Sequence, residues 1–182
     1  MSKLTALIAV FAGMVLVACE SGPDSGAAKA PPVRTTTTLA NPAQLGVNLD
    51  ARAYQDRLRA RNLDPAVVVR GRELFAANCA RCHGAFGEGT PDWRKRLADG
   101  TFPPPPLNGT AHTWHHPDQL LLRIMRDGGQ SYGPTYQGAM PPMGKMVNAA
   151  ERQAILQYLK SLWPDEAWRT QKDITRENPE AE

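Results

Sequence analysis

The pattern C-x-x-C-H at residues 79–83 constrains this chain more than any other feature. Cys79 and Cys82 lie three residues apart, so a helical turn brings both thiols to one side. His83 follows at once, and a neutral imidazole is a good axial ligand for iron. Two thiols that add to the vinyl groups of one haem, with the imidazole below the iron, account for all three residue types. We therefore predict one covalent haem c.

Two other chemistries use the same residue types. A thioredoxin-like dithiol is expected in a βαβ context, and the sequence shows no strand pattern. A zinc site would combine Cys79 and Cys82 with two of His112, His115 and His116. The chain has no second C-x-x-C, and its histidines do not fall at zinc-finger spacing from the cysteines. The pattern therefore favours haem over both.

The first 18 residues have the pattern of a bacterial export signal. Lys3 precedes an apolar run over residues 4–18, which is shorter than the roughly 20 residues of a membrane-spanning helix. The alternative is a short membrane anchor. Residues 16–19 resemble a lipoprotein lipobox, which implies cleavage before Cys19 and lipid on its sulfur. We therefore expect a periplasmic protein that is anchored to a membrane through Cys19.

Composition divides the rest of the chain into three parts. Residues 19–63 are predicted to be a flexible tether, because Ser, Gly, Pro, Ala and Thr dominate its first half without apolar periodicity. Residues 50–62 form, at most, a short polar helix on the surface. The compact domain is predicted at 64–164, and the polar residues 165–182 are either a docking segment or disordered.

Three helices are predicted in the compact domain. Asp64 and Pro65 begin the first, a second follows Pro117, and Asn148 begins the third in an N-x-x-E capping box. The expected inward positions are Val68, Gly71, Leu74, Phe75 and Asn78, then Leu120, Leu121, Ile124 and Met125, then Ile155, Tyr158, Leu159 and Leu162. The fold class is all-α, a small helical domain wrapped around a haem that fills a thin core.

Residues 68–162 resemble a class I cytochrome c. Residues 71–75 resemble the family's first helix, and Tyr158 with Leu159 resembles the face of its last helix. Residues 138–141, Gly-Ala-Met-Pro, resemble the Met-Pro motif, and residues 105–109 resemble the P-x-L-x-G loop. The resemblance implies a cytochrome c fold in which the first and last helices cross.

The same resemblance implies roles for Met140 and Pro105. Met140 would be the sixth iron ligand, with Met143 as the alternative and a histidine of the 112–116 loop as a third option. The carbonyl of Pro105 would accept a hydrogen bond from His83. Trp114 either donates its indole N–H to a haem propionate or packs as an ordinary aromatic residue.

These features predict a one-electron carrier rather than an enzyme. The alternatives are a fixed subunit of a respiratory or copper-linked oxidoreductase complex, and a ligand-binding or peroxidase haem protein. A net charge of +3 argues against nucleic acid as a partner. We expect a redox protein as donor and another as acceptor. The basic run 94–96 is a docking patch or, more simply, a solvated face.

Overall fold

The computed structural model describes residues 41–133 and 138–179. The predicted signal peptide and Cys19 lie outside these residues, and no described helix is long and apolar enough to cross a membrane. The described residues form helices and no strand, which confirms the all-α fold; Phe102 and Gly138 make one isolated bridge. The α-helices are α1 (Ala51–Ala60), α2 (Pro65–Asn78), α3 (Ala80–His83), α4 (Asp118–Asp127), α5 (Ala149–Leu162) and α6 (Asp165–Glu177), and the 3₁₀ helices are Pro42–Leu45, Thr113–His115 and Gly129–Tyr132.

The predicted helix starts are confirmed at atomic detail. The Asp64 side chain accepts hydrogen bonds from the first backbone N–H groups of α2, and Pro65 occupies its first turn. At α5, the Asn148 side chain accepts from Glu151 N, and the Glu151 side chain accepts from Asn148 N, each at 3.0 Å. This capping box satisfies N–H groups that the helix itself leaves without partners.

Helices α2 and α5 cross at Gly71 and form the centre of the core. A Cβ at Gly71 would lie 2.0 Å from the carbonyl oxygen of Ala154, so only glycine permits this approach. One turn further on, the rings of Phe75 and Tyr158 meet with centroids 5.4 Å apart. Both rings are fully buried. The crossing implied by the resemblance is therefore present, and it fixes the direction in which α2 leads into residues 79–83.

The expectation that residues 50–62 lie on the surface is wrong. Tyr54 and Leu58 lie one helical turn apart on α1 and therefore form a narrow apolar stripe. This stripe enters the core, and neither side chain has any exposed area. Leu45 is also buried, and its carbonyl accepts a hydrogen bond from the Tyr158 hydroxyl at 3.2 Å. The packed domain therefore includes residues 41–63 and does not begin at Asp64.

A buried arginine joins α1 to the end of α5. The Arg61 guanidinium donates to the carbonyls of Lys160 (2.7 Å) and Trp163 (2.9 Å) and pairs with Asp165. Burial lowers the Arg61 pKa, and the hydrogen bond to Asp165 opposes that shift. An arginine fork suits this site because several of its donors meet acceptors at once.

The predicted polar tail contains a packed helix rather than a free segment. Helix α6 buries Ala167 and Gln171. The Gln171 amide donates to the carbonyl of His116 at 3.2 Å and to Asp118 at 2.5 Å, and Lys160 binds the same Asp118 carboxylate at 2.6 Å. The packed domain thus continues past Pro164, and α6 holds the loop that precedes α4.

Candidate haem site

The two thiols and the imidazole of the C-x-x-C-H pattern share one tight turn. Helix α2 runs into it, and α3 closes it: the backbone N–H groups of Cys82 and His83 both donate to the carbonyl of Cys79, at 3.1 and 3.0 Å. Both thiols are free, with Cys79 half-buried and Cys82 exposed. The turn therefore presents one sulfur to the interior and one to the surface, beside a buried imidazole.

The orientation of His83 fits an iron ligand. Its Nδ1 lies 2.9 Å from the carbonyl oxygen of Pro105. Because a carbonyl can only accept, Nδ1 carries the proton and Nε2 keeps its lone pair. Burial lowers the pKa of the imidazole, with the Pro105 carbonyl acting in the opposite direction, so the ring is neutral at pH 7. A neutral imidazole with Nε2 available and a fixed tautomer is the form that ligates haem iron.

The environment of the cysteines disfavours a dithiol or a zinc centre. Burial, aided by the charge of Cys82, raises the pKa of the Cys79 thiol to about 11, whereas reactive dithiols have lowered pKa values. Within residues 41–133 and 138–179, no group of three His, Cys, Asp or Glu side chains is placed to hold a metal ion. The donor set and its surroundings therefore fit covalent haem.

The loop after His83 lies directly against the proline-rich segment that contains Pro105. The carbonyl of Gly87 accepts from the N–H groups of Leu107 (2.7 Å) and Asn108 (3.1 Å). Gly89 has a φ of +72°, and a Cβ there would lie 2.4 Å from the nitrogen of Pro106. This close backbone packing carries the Pro105 carbonyl to His83 across 22 residues of sequence.

Every carbonyl from Pro104 to Leu107 accepts a hydrogen bond from a different residue. The four bonds are Thr90 N to Pro104 O at 3.0 Å, His83 Nδ1 to Pro105 O at 2.9 Å, Thr113 Oγ1 to Pro106 O at 3.1 Å, and Trp163 Nε1 to Leu107 O at 2.8 Å. Neither Thr113 nor Trp163 is predicted as a site residue from sequence. A side chain that donates to a distant backbone carbonyl leaves no periodic signal in the sequence. The proline run is the one sequence feature that indicates carbonyls in need of donors from elsewhere in the chain.

The three methionines near α5 differ in their surroundings. Met140 is half-buried, and its carbonyl accepts from Gly129 N at 2.9 Å. Met143 packs against the hydrophobic core, and Met146 is 67 % exposed. Assignment of Met140 as an iron ligand stays a prediction, with Met143 as its alternative.

The histidines of the 112–116 loop belong to a ring cluster. His112 stacks on Trp93 (5.4 Å between centroids) and meets His116 edge-on (5.6 Å), and His116 meets Tyr132 at 5.6 Å. Burial lowers the pKa values of His112 and His116. The charges of His115 and Arg94 add to the effect at His112, and those of His112 and His115 add to it at His116. These contacts give the two histidines packing roles among neutral rings.

Two other predicted features acquire local partners. Trp114 is half-buried and packs against His115 at 3.8 Å and against the core; its bond to a haem propionate stays a prediction. In the basic run 94–96, Arg94 lies over the Trp93 ring, Lys95 pairs with Asp92 at 3.1 Å, and Arg96 lies over the Phe102 ring. The run therefore forms a solvated face with local charge and ring contacts.

The fold and the site together define an all-helical protein built for covalent haem c. The family model "Cytochrome c" matches residues 68–163, more than half of the chain, and the chain belongs to the cytochrome c family. Membership implies a covalently bound haem c and a role in electron transfer.

Two curated relatives match part of the chain. The chain is 31 % identical over 121 residues to the "Cytochrome bc1 complex cytochrome c subunit" of Corynebacterium diphtheriae. The aligned region covers 63 % of this chain and 35 % of the relative. It is 34 % identical over 100 residues to the "Cbb3-type cytochrome c oxidase subunit CcoP" of Rubrivivax gelatinosus. Here the aligned region covers 54 % of this chain and 27 % of the relative. The chain thus spans about a third or less of the length of each. No solved structure matches the chain.

Proposed function

We propose that this protein is a one-electron carrier that holds a single haem c at Cys79 and Cys82, with His83 and Met140 as axial ligands. The observation that carries the proposal is the hydrogen bond from His83 Nδ1 to the Pro105 carbonyl, which prepares Nε2 for iron. Haem iron, when bound, alternates between the ferric and ferrous states and so carries one electron.

The residues of the chain have distinct tasks in this account. Cys79 and Cys82 keep the cofactor attached, which matters for a protein outside the cell. His83 supplies a fixed imidazole, and the Met140 thioether favours the ferrous state, which raises the reduction potential. Cys82 is exposed beside the exposed Arg81, so this edge of the site reaches the surface, where a small, brief contact with a redox partner suffices.

Replacing Met140 by alanine is expected to open the sixth iron position. The ferrous variant should bind CO much more readily than the wild type, because no strong ligand competes. The measurement is a CO titration followed by absorption spectroscopy. Met146→Ala is the matched control, since Met146 is largely exposed and should leave CO binding unchanged. Unchanged CO binding in Met140→Ala, with a gain in Met143→Ala, would transfer the role to Met143; ready CO binding by the wild type would favour the ligand-binding or peroxidase alternative.

The complexes named for the two relatives suggest which proteins exchange electrons with this chain. One relative is named a subunit of a cytochrome bc1 complex and the other a subunit of a Cbb3-type oxidase. We infer that this chain exchanges electrons with respiratory membrane proteins, either as a shuttle or as a fixed subunit. Purification of the full chain in mild detergent separates the two: co-elution with a respiratory complex supports the fixed subunit, and elution alone supports the shuttle.

We also propose that the protein is a periplasmic lipoprotein anchored through Cys19. The support is the lipobox pattern at residues 16–19 behind an export signal. Cells that express the wild type are expected to incorporate labelled palmitate into it, and the Cys19→Ser variant is expected to lose the label. Cys79→Ser, the same change elsewhere, should keep it. Label on the Cys19→Ser variant would contradict the anchor.

A further inference from the structure

The proline run at residues 103–106 cannot hold its own position through N–H groups. Proline has no backbone donor and a fixed φ, so the remaining freedom of such a segment is rotation of its peptide planes about ψ. Hydrogen bonds to its carbonyls restrain that rotation, together with the close packing of Gly89 against Pro106. The direction of the Pro105 carbonyl, which orients His83, therefore depends on what holds the neighbouring carbonyls of Pro106 and Leu107.

Two buried side chains provide the restraint on the downstream side. Thr113 is 7 % exposed and donates its hydroxyl to Pro106 O; Trp163 is fully buried and donates its indole N–H to Leu107 O. Water cannot readily replace donors that are buried so deeply. If Thr113 loses its hydroxyl, a buried carbonyl loses its partner, and if Trp163 loses its indole N–H, a partly buried carbonyl does. In each case the segment has a free-energy reason to turn toward another donor.

The backbone at or near both side chains is held by residues that lie outside the family match. The carbonyl of Trp163 accepts from Arg61, which follows α1. Thr113 begins the 3₁₀ helix Thr113–His115, and the next residue, His116, offers its carbonyl to Gln171 of α6. Helices α1 and α6 thus support the two donors, and through them the carbonyl that faces His83.

We propose that Thr113 and Trp163 are positioning residues that set the reduction potential by fixing the Pro105 carbonyl on His83. The inference rests on the proposed function, in which His83 ligates the iron. A well-made bond from Nδ1–H to a carbonyl makes imidazole a more basic ligand, which stabilises the ferric state and lowers the potential. Loosening the bond should therefore raise the potential.

The test uses Trp163→Phe and Thr113→Val in the full-length, haem-loaded protein. Each removes one donor and keeps most of the side-chain volume. The reduction potential is measured by equilibrium redox titration, and the exchange rate of the His83 Nδ1 proton is measured by NMR of the reduced protein. Both variants are expected to raise the potential and to speed proton exchange several-fold. Thr113→Ser, which keeps the hydroxyl, is expected to restore both values.

Two comparison variants separate this effect from general loosening. Trp168→Phe makes the same change in α6, where the indole packs on Arg61, and Thr110→Val removes an exposed hydroxyl that bonds Asn108. Thr110→Val should keep the wild-type potential and exchange rate, whereas Trp168→Phe, which loosens Arg61 and so the support of Trp163, is expected to give at most a smaller change than Trp163→Phe. Folded Trp163→Phe and Thr113→Val variants with wild-type values would overturn the inference while leaving the proposed function intact. If Trp163→Phe does not fold, Thr113→Val alone decides. A wild-type protein without haem, or with iron not bound by His83, would overturn both proposals.

Discussion

A protein in which both Cys79 and Cys82 are replaced by serine is expected to carry no covalent haem. Thioether formation needs sulfur nucleophiles, and the serine hydroxyl does not replace them. The wild type should retain haem staining on a denaturing gel and the intact mass of one attached haem; the double variant should lose both. Loss of folding stability should accompany this, because residues 84–112 contain no helix and a cofactor is needed to complete the interior around them.

The third cysteine supplies the control for this result. Cys19→Ser removes a thiol outside the pattern and is expected to leave haem staining and haem mass unchanged. Single replacement of Cys79 or Cys82 should leave one attachment bond and an intermediate amount of haem. Full staining of the double variant would contradict attachment at this turn, and a wild-type protein that contained zinc and no haem would support the zinc alternative.

Replacing Gly71 by alanine is expected to lower the free energy of unfolding by about 2 kcal/mol. The new Cβ would lie 2.0 Å from the Ala154 carbonyl oxygen, so α2 and α5 must separate. Overpacking of this kind costs up to about 3 kcal/mol, and the gain in helix propensity from glycine to alanine returns about 1 kcal/mol. Chemical denaturation followed by circular dichroism measures the difference.

The control for Gly71→Ala adds bulk on the opposite side of the same helix. Ala76 is exposed, so Ala76→Leu should change stability by less than about 0.5 kcal/mol. Gly71→Leu is expected to prevent folding, because its larger side chain cannot be accommodated between the two helices. If Gly71→Ala is as stable as the wild type, the close crossing of α2 and α5 is not what holds the core together.

Signals that act over one helical turn predict this structure well. Asp64 with Pro65, and Asn148 with Glu151, mark the helix starts that the structure shows, because a capping bond joins residues two or three positions apart. The C-x-x-C-H turn has the same local character. Such patterns depend on neighbours in the sequence and are therefore visible in it.

Contacts between distant residues are where the sequence alone fails. Helix α1 looks polar because its apolar stripe consists of Tyr54 and Leu58, yet both enter a core that includes α5 residues about 100 positions later. Arg61 is buried because the carbonyls of Lys160 and Trp163 and the carboxylate of Asp165 accept its hydrogen bonds. Neither helix propensity nor hydrophobic periodicity predicts contacts between residues so far apart in the sequence. The structure is therefore what assigns residues 41–63 and α6 to the domain.

The most direct test of the account is the absorption spectrum of the purified full-length protein, oxidised and reduced, before and after denaturation. We predict haem bands that remain with the polypeptide after denaturation, sharp low-spin bands on reduction, and in the oxidised protein the weak long-wavelength band of a methionine–iron bond. Covalent haem with high-spin bands would contradict ligation by both His83 and Met140. The absence of haem would contradict the central claim that this chain is an electron carrier.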